Sequence, residues 1–141
     1  MNIYKTVIAV VDDEECICKG LERLLRSAGL AAVTFLNGAD FLRFLEIGWP
    51  DCLVLDLNML PMSGFEVLER LAVLSLKLPV IIITGDGSEE KYERAINQGI
   101  AAYLRKPVDG KVLLDAIDDA IGHGTESLAS ASNSGNGFPN S

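Results

Sequence analysis

At 141 residues, nearly half of them hydrophobic, the chain is long enough for one globular domain with a proper core. Its 20 acidic and 12 basic side chains give a formal net charge of −8, and its densest basic run is the pair Arg105-Lys106, which argues against direct binding to nucleic acid. No apolar run approaches a membrane span, and the N-terminus lacks the basic, apolar, small-residue order of a signal peptide, so the expected location is the cytoplasm.

Residues 6–11 are a continuous, β-branched apolar run that predicts a buried strand. The run ends in Asp12-Asp13-Glu14-Glu15. A helix follows with Ile17, Leu21, Leu24, Leu25 and Ala28 at helical spacing, and Gly29 stops it. The odd count of Cys16, Cys18 and Cys52, without CxxC spacing, predicts neither a disulfide framework nor a metal site. Three reduced, half-buried side chains are expected instead, with Cys16 and Cys18 on different helix faces.

A second strand is expected at residues 31–36, and Asn37 can cap a helix carrying Phe41, Leu42 and Leu45. Residues 52–55 form a third apolar run that ends abruptly in Asp56. Ser63 and Glu66 then make an S-x-x-E capping box for a helix burying Phe65, Leu68 and Leu71. Pro79 sets off a fourth strand at residues 80–83, which runs into Thr84-Gly85. A helix from Ser88 to Gln98 has a thin apolar face of Tyr92, Ala95 and Ile96. A short fifth strand at residues 101–104 leads to Arg105-Lys106-Pro107, and a last helix at about 109–121 turns Leu113, Ala116, Ile117 and Ala120 inward. Residues 123–141 are rich in Ser, Asn and Gly and read as a disordered tail or linker behind a domain of residues 1–122.

Five βα repeats predict an α/β fold, a parallel sheet with helices on both faces. In such sheets the ligand site lies at the carboxyl ends of the strands. Asp12-Asp13, Asp56, Thr84 and Lys106 all fall there. Three carboxylates in a small volume repel one another unless a cation is present, and an all-oxygen set suits Mg²⁺. A lysine and a hydroxyl facing the same place suggest that an anion also binds. Together these groups describe a phosphoryl site in which a carboxylate can be the nucleophile.

On these residues the chain resembles the receiver domain of a bacterial two-component response regulator. The match rests on Asp12-Asp13, Asp56 with Met59, Met62 and Gly64 behind it, Thr84-Gly85, and Tyr103-Leu104-Arg105-Lys106-Pro107, over about residues 4–122. The resemblance implies a flavodoxin-like doubly wound sheet of order 2-1-3-4-5 with five helices. It implies that Asp56 accepts a phosphoryl group from the phosphohistidine of a sensor histidine kinase or histidine phosphotransfer protein. Asp13, Asp56 and the main-chain carbonyl of Asn58 would hold Mg²⁺, with Asp12 acting largely through water. Lys106 would pair with the phosphoryl oxygens, Thr84 would turn its hydroxyl to them, and Tyr103 would swing inward as Thr84 moves. The Lys106-Pro107 bond would be cis. The face of the fourth helix, fifth strand and fifth helix would switch. Asn58 and Asp86 resemble the pattern of members with a short-lived phosphoryl state. One departure stands out: the family places proline directly after the methionine at Met59, whereas here Leu60 intervenes before Pro61, so this loop should be shaped differently.

Two other classes compete. An aspartate-nucleophile phosphohydrolase would need a second Asp where Asn58 stands, and a cap insertion. An inert flavodoxin-like module would not need the full set of Asp, Thr and Lys. The output is open between a single-domain regulator and the receiver of a longer transcription factor or hybrid kinase, as is dimerisation on phosphorylation.

Overall fold

The computed structural model describes residues 5–122. Strands β1 (Val7–Val11), β2 (Ala31–Phe35), β3 (Cys52–Asp56), β4 (Val80–Thr84) and β5 (Ala102–Arg105) alternate with helices α1 (Glu15–Ser27), α2 (Gly38–Phe44), α3 (Gly64–Val73), α4 (Glu89–Asn97) and α5 (Gly110–Ile117). A π-helical turn, Asp118–Gly122, extends α5. All strand pairs are parallel, in the order β2-β1-β3-β4-β5. The fold class and strand order are therefore those expected from the sequence. The expected tail at residues 123–141 lies outside the described residues.

Alternation along the strands divides the interior into two cores. On one side Val11, Leu53, Leu55 and Ile82 meet Phe41, Phe65, Leu68 and Leu71. On the other side Ile8, Val10, Val54, Ile81 and Ile83 meet Leu21, Leu25, Leu113 and Ile117. Every residue of β3 and β4 is buried, which is why these segments read as unbroken apolar runs rather than alternating ones.

The helix ends follow local chemistry. Asn37, Ser63, Ser88 and Asp109 each accept a backbone N–H in the first turn of their helices, and the Ser63–Glu66 capping box is complete. Gly29 takes φ +85° where α1 ends, a conformation that costs glycine little. Helix α1 buries Cys18, Leu21 and Leu25, whereas Ala28 is exposed. The cysteines differ from the half-buried expectation: Cys16 is exposed, and Cys18 and Cys52 are buried. Burial pushes the Cys18 thiol up to about 11 and Cys52 up to about 12, so both behave as small apolar side chains.

Candidate phosphoacceptor site

Register brings the site together. Val11 pairs with Leu55 across β1 and β3, so Asp12, one residue on, falls beside Asp56. Asp56 pairs with Ile83, so Thr84 is one step further along the neighbouring strand. Thr84 pairs with Arg105, and the Lys106 N–H donates to the Thr84 carbonyl at 2.8 Å. Four strands thus deliver Asp12-Asp13, Asp56, Thr84 and Lys106 to one edge of the sheet.

Asp12, Asp13 and Asp56 each offer a carboxylate oxygen within 4.8 Å of the other two. Asp12 is fully buried and Asp56 is 2% exposed, while Asp13 is exposed. Asp12 Oδ1 accepts the Glu14 N–H at 2.9 Å and so shapes the entry to α1. Lys106 Nζ lies 2.9 Å from Asp12 Oδ2, 3.1 Å from Glu14 Oε1 and 3.5 Å from Asp56 Oδ2. Burial alone would lower the lysine pKa, but Asp12, Glu14 and Asp56 outweigh it and raise it above its ordinary value. Asp56 is pushed up to about 6. Burial is the main cause and Asp12 adds to it, while the Asn58 N–H, 3.1 Å from Oδ1, and Lys106 oppose it. One ammonium facing three carboxylates leaves the pocket short of positive charge. That deficit and the all-oxygen donor set fit a hard divalent cation such as Mg²⁺.

A second cluster borders the first. The buried Thr84 Oγ1 accepts from the Asn58 side-chain Nδ2 at 3.0 Å and from the Asp86 N–H at 3.1 Å. Lys91 Nζ donates to Asn58 Oδ1 at 2.9 Å and pairs with Asp86 Oδ2 at 2.8 Å. This contact with Lys91 is the main cause that holds the Asp86 carboxyl below the usual range. Asn58 and Asp86 are thus both held by Lys91.

Sequence reasoning misses Lys91 and Glu14. In the sequence Glu14 is only one member of an acidic run. For Lys91 a signal exists: the Ser88 cap makes it the third residue of α4, and helical side chains lean back toward the N-terminus.

Tyr103 packs edge-on against Tyr92 of α4, with ring centroids 5.0 Å apart. Its hydroxyl is buried, without a hydrogen-bond partner among the described residues. Helix α4 is also tied to α3 by Arg94, which stacks 4.0 Å from the Phe65 ring centre and pairs with Glu69 at 3.5 Å. Both Leu60-Pro61 and Lys106-Pro107 are cis, and Leu60 is exposed in the loop that departs from the family pattern. Gly64 ends that loop where a Cβ would meet the Asp56 carbonyl oxygen at 2.5 Å and Leu57 Cα at 2.7 Å. Only glycine lets α3 start this close to β3.

A parallel doubly wound sheet that gathers three carboxylates, a lysine and a buried hydroxyl at its carboxyl edge defines a receiver, the signalling class built around a phosphoacceptor. The chain belongs to the response regulator receiver domain family, which matches residues 8–118. It is 36% identical over 121 residues to the response regulator protein TmoT of Ectopseudomonas mendocina, a match covering 86% of this chain and 55% of TmoT. It is also 36% identical to the DNA-binding transcriptional regulator NtrC of Escherichia coli K12, covering 26% of that protein. The chain therefore spans about half of one relative and a quarter of the other. Among solved structures it is similar to a response regulator receiver protein from Burkholderia phymatum, with 37% identity, a TM-score of 0.75, and coverage of 84% of this chain and 96% of that one. It is likewise similar to FixJ-N, with 34% identity, a TM-score of 0.77, and coverage of 87% and 97%. Among the described residues no helix is long and apolar enough to cross a membrane.

Proposed function

We propose that Asp56 is the phosphoacceptor of this receiver, taking its phosphoryl group from the phosphohistidine of a sensor histidine kinase or histidine phosphotransfer protein. In that step an Asp56 carboxylate oxygen forms a bond to phosphorus and the P–N bond breaks, its electron pair leaving with the imidazole. The observation that carries the reading is the position of Lys106 Nζ, between Asp12 and Asp56 at the mouth of the sheet. A phosphoryl group on Asp56 would bring its oxygens to this ammonium. Asp13, Asp56 and the Asn58 carbonyl would hold Mg²⁺, with Asp12 acting through water; the bound ion would neutralise charge on the carboxylates and phosphoryl oxygens.

Thr84 follows as the reporter of phosphorylation and Tyr103 as the aromatic that moves with it. The responding surface is α4, β5 and α5, which exposes Tyr92, Ile96 and Val112. The reading carries a cytoplasmic location, and a domain of residues 1–122 followed by a linker. It makes the chain a switch that phosphorylates and dephosphorylates itself rather than an enzyme acting on separate substrates. The long relatives favour the receiver of a longer regulator, with output elsewhere in that protein. A fairly short phosphoryl lifetime belongs to the reading, and an Asn58→Ala, Asp86→Ala double variant that lost the label at the wild-type rate would remove it.

The test is intact mass after incubation with Mg²⁺ and acetyl phosphate. One added phosphoryl group is expected in the wild type, none in Asp56→Asn and none with chelator. Wild type that binds Mg²⁺ but stays unmodified refutes the assignment.

A further inference from the structure

Thr84 Oγ1 has two lone pairs and one proton. Both lone pairs are occupied, one by the Asn58 amide Nδ2 and one by the Asp86 N–H. The hydroxyl is left able only to donate, the polarity that an anion beside it requires. The Asp86 half of this arrangement is backbone and cannot reverse. The Asn58 half depends on which end of a side-chain amide faces Thr84, because a rotated amide would present its oxygen and take the hydroxyl proton for itself.

Lys91 decides that orientation. An ammonium has donors and no acceptor, so Nζ at 2.9 Å must face the amide oxygen, and the amide nitrogen is thereby turned to Thr84. Lys91 is itself fixed from two sides, by Asp86 Oδ2 at 2.8 Å and by the Ser88 cap, whose hydroxyl accepts the Lys91 N–H. On the reading of Asp56 as phosphoacceptor, we propose that Lys91 is a positioning residue that acts through the Asn58 amide to keep Thr84 poised as a donor toward the incoming phosphoryl group. The relay also gives α4 a direct hold on the site, since Lys91 is its third residue.

The test measures phosphoryl uptake from phosphoramidate at saturating Mg²⁺ for wild type, Lys91→Met, Asn58→Ala and the double variant. Exchange of the Asn58 side-chain amide protons is followed by NMR in the unphosphorylated proteins. Lys91→Met is expected to slow uptake about 3- to 10-fold, the effect of losing one oriented hydrogen bond. The double variant should be no slower than Asn58→Ala, because Lys91 acts only through that amide, and Lys91→Arg should restore most of the rate. The Asn58 amide protons should be protected in the wild type and lose protection in Lys91→Met. Uptake by Lys91→Met at the wild-type rate would overturn the relay. So would a loss undiminished on the Asn58→Ala background, which would mark Lys91 as a charge attracting the donor. A wild type that takes up no phosphoryl group would instead fell the phosphoacceptor reading, and the amide exchange would still decide whether Lys91 orients Asn58.

Discussion

Lys106 and Asp12 form an ion pair that is almost wholly out of water: Nζ stands 2.9 Å from Oδ2, the carboxylate side chain is 0% exposed and the lysine side chain 17%. Removing one partner of such a pair leaves the other as an uncompensated buried charge. Lys106→Met is therefore expected to lose about 3–5 kcal/mol of stability at pH 7. The lysine's raised pKa means that the contribution is fully present at neutral pH and is lost only as pH rises above the ordinary lysine range. The cost of the variant should shrink toward pH 4.5 as Asp56 takes up a proton. Urea denaturation at both pH values checks this; an equal loss at each would mean that Asp56 has no share in the cost and that the pairing with Asp12 alone carries it.

Asp56 gives the opposite pH signature. Its carboxyl ordinarily titrates at 3.8 and is pushed up to about 6 in the fold. Between those values the native state binds more protons than the unfolded chain, so stability falls as pH rises through the window. A shift of roughly two units is worth up to about 3 kcal/mol. Asp56→Asn removes the penalty. The variant should be more stable than wild type at pH 7 by up to about that amount, and the gain should vanish below pH 4. Thermal melts across this range would show it, and a gain independent of pH would mean that the buried charge of Asp56 is not its source.

A divalent cation should relieve the same repulsion. Mg²⁺ at about 100 times its dissociation constant should add about 2.7 kcal/mol to wild type by mass action alone. Asp13→Asn should blunt the shift, since Asp13 is the exposed member of the acidic triad. Wild-type melts that do not move with Mg²⁺ would remove the metal from the site.

Two glycines should respond in opposite senses to the same substitution. A Cβ on Gly64 would meet backbone atoms of Asp56 and Leu57, whereas one on Gly20 in α1 would meet nothing within 4 Å. Gly64→Ala should destabilise by about 1–3 kcal/mol and slow phosphoryl uptake by displacing Asp56. Gly20→Ala should stabilise by about 0.5–1 kcal/mol through helix propensity. Chemical denaturation of the pair is decisive, and an equally tolerant Gly64 would show that the loop can yield.

Much of this was legible in the chain. Strands buried on both faces, such as Cys52–Asp56 and Val80–Thr84, announce themselves as apolar runs, and each stops at the residue that carries chemistry. Parallel alternation then puts Asp12, Asp56, Thr84 and Lys106 on one edge without any tertiary detail. Partnerships between side chains were less legible. Glu14 and Lys106 meet across 92 positions and Lys91 and Asn58 across 33, distances over which periodicity says nothing. The last helix also ends sooner than its apolar spacing predicts: regular α-helix stops at Ile117, and Ala120 and Ile121 belong to the π-helical turn. Spacing of three and four residues does not distinguish these two windings at a helix end.

The complete burial of β3 and β4 has a consequence for how this chain can diversify. Apart from Asp56 at the carboxyl edge, neither strand presents a side chain to the surroundings, so a docking partner has nothing to read along them, and drift toward a new partner has no foothold there. Recognition must be written on outward residues such as Tyr92, Ile96 and Val112, which can be rewritten while the two strands that hold Asp56 and Thr84 stay as they are. For an engineer the sheet is a fixed chassis: a receiver could be re-addressed by resurfacing its helices, with the chemical step carried over intact.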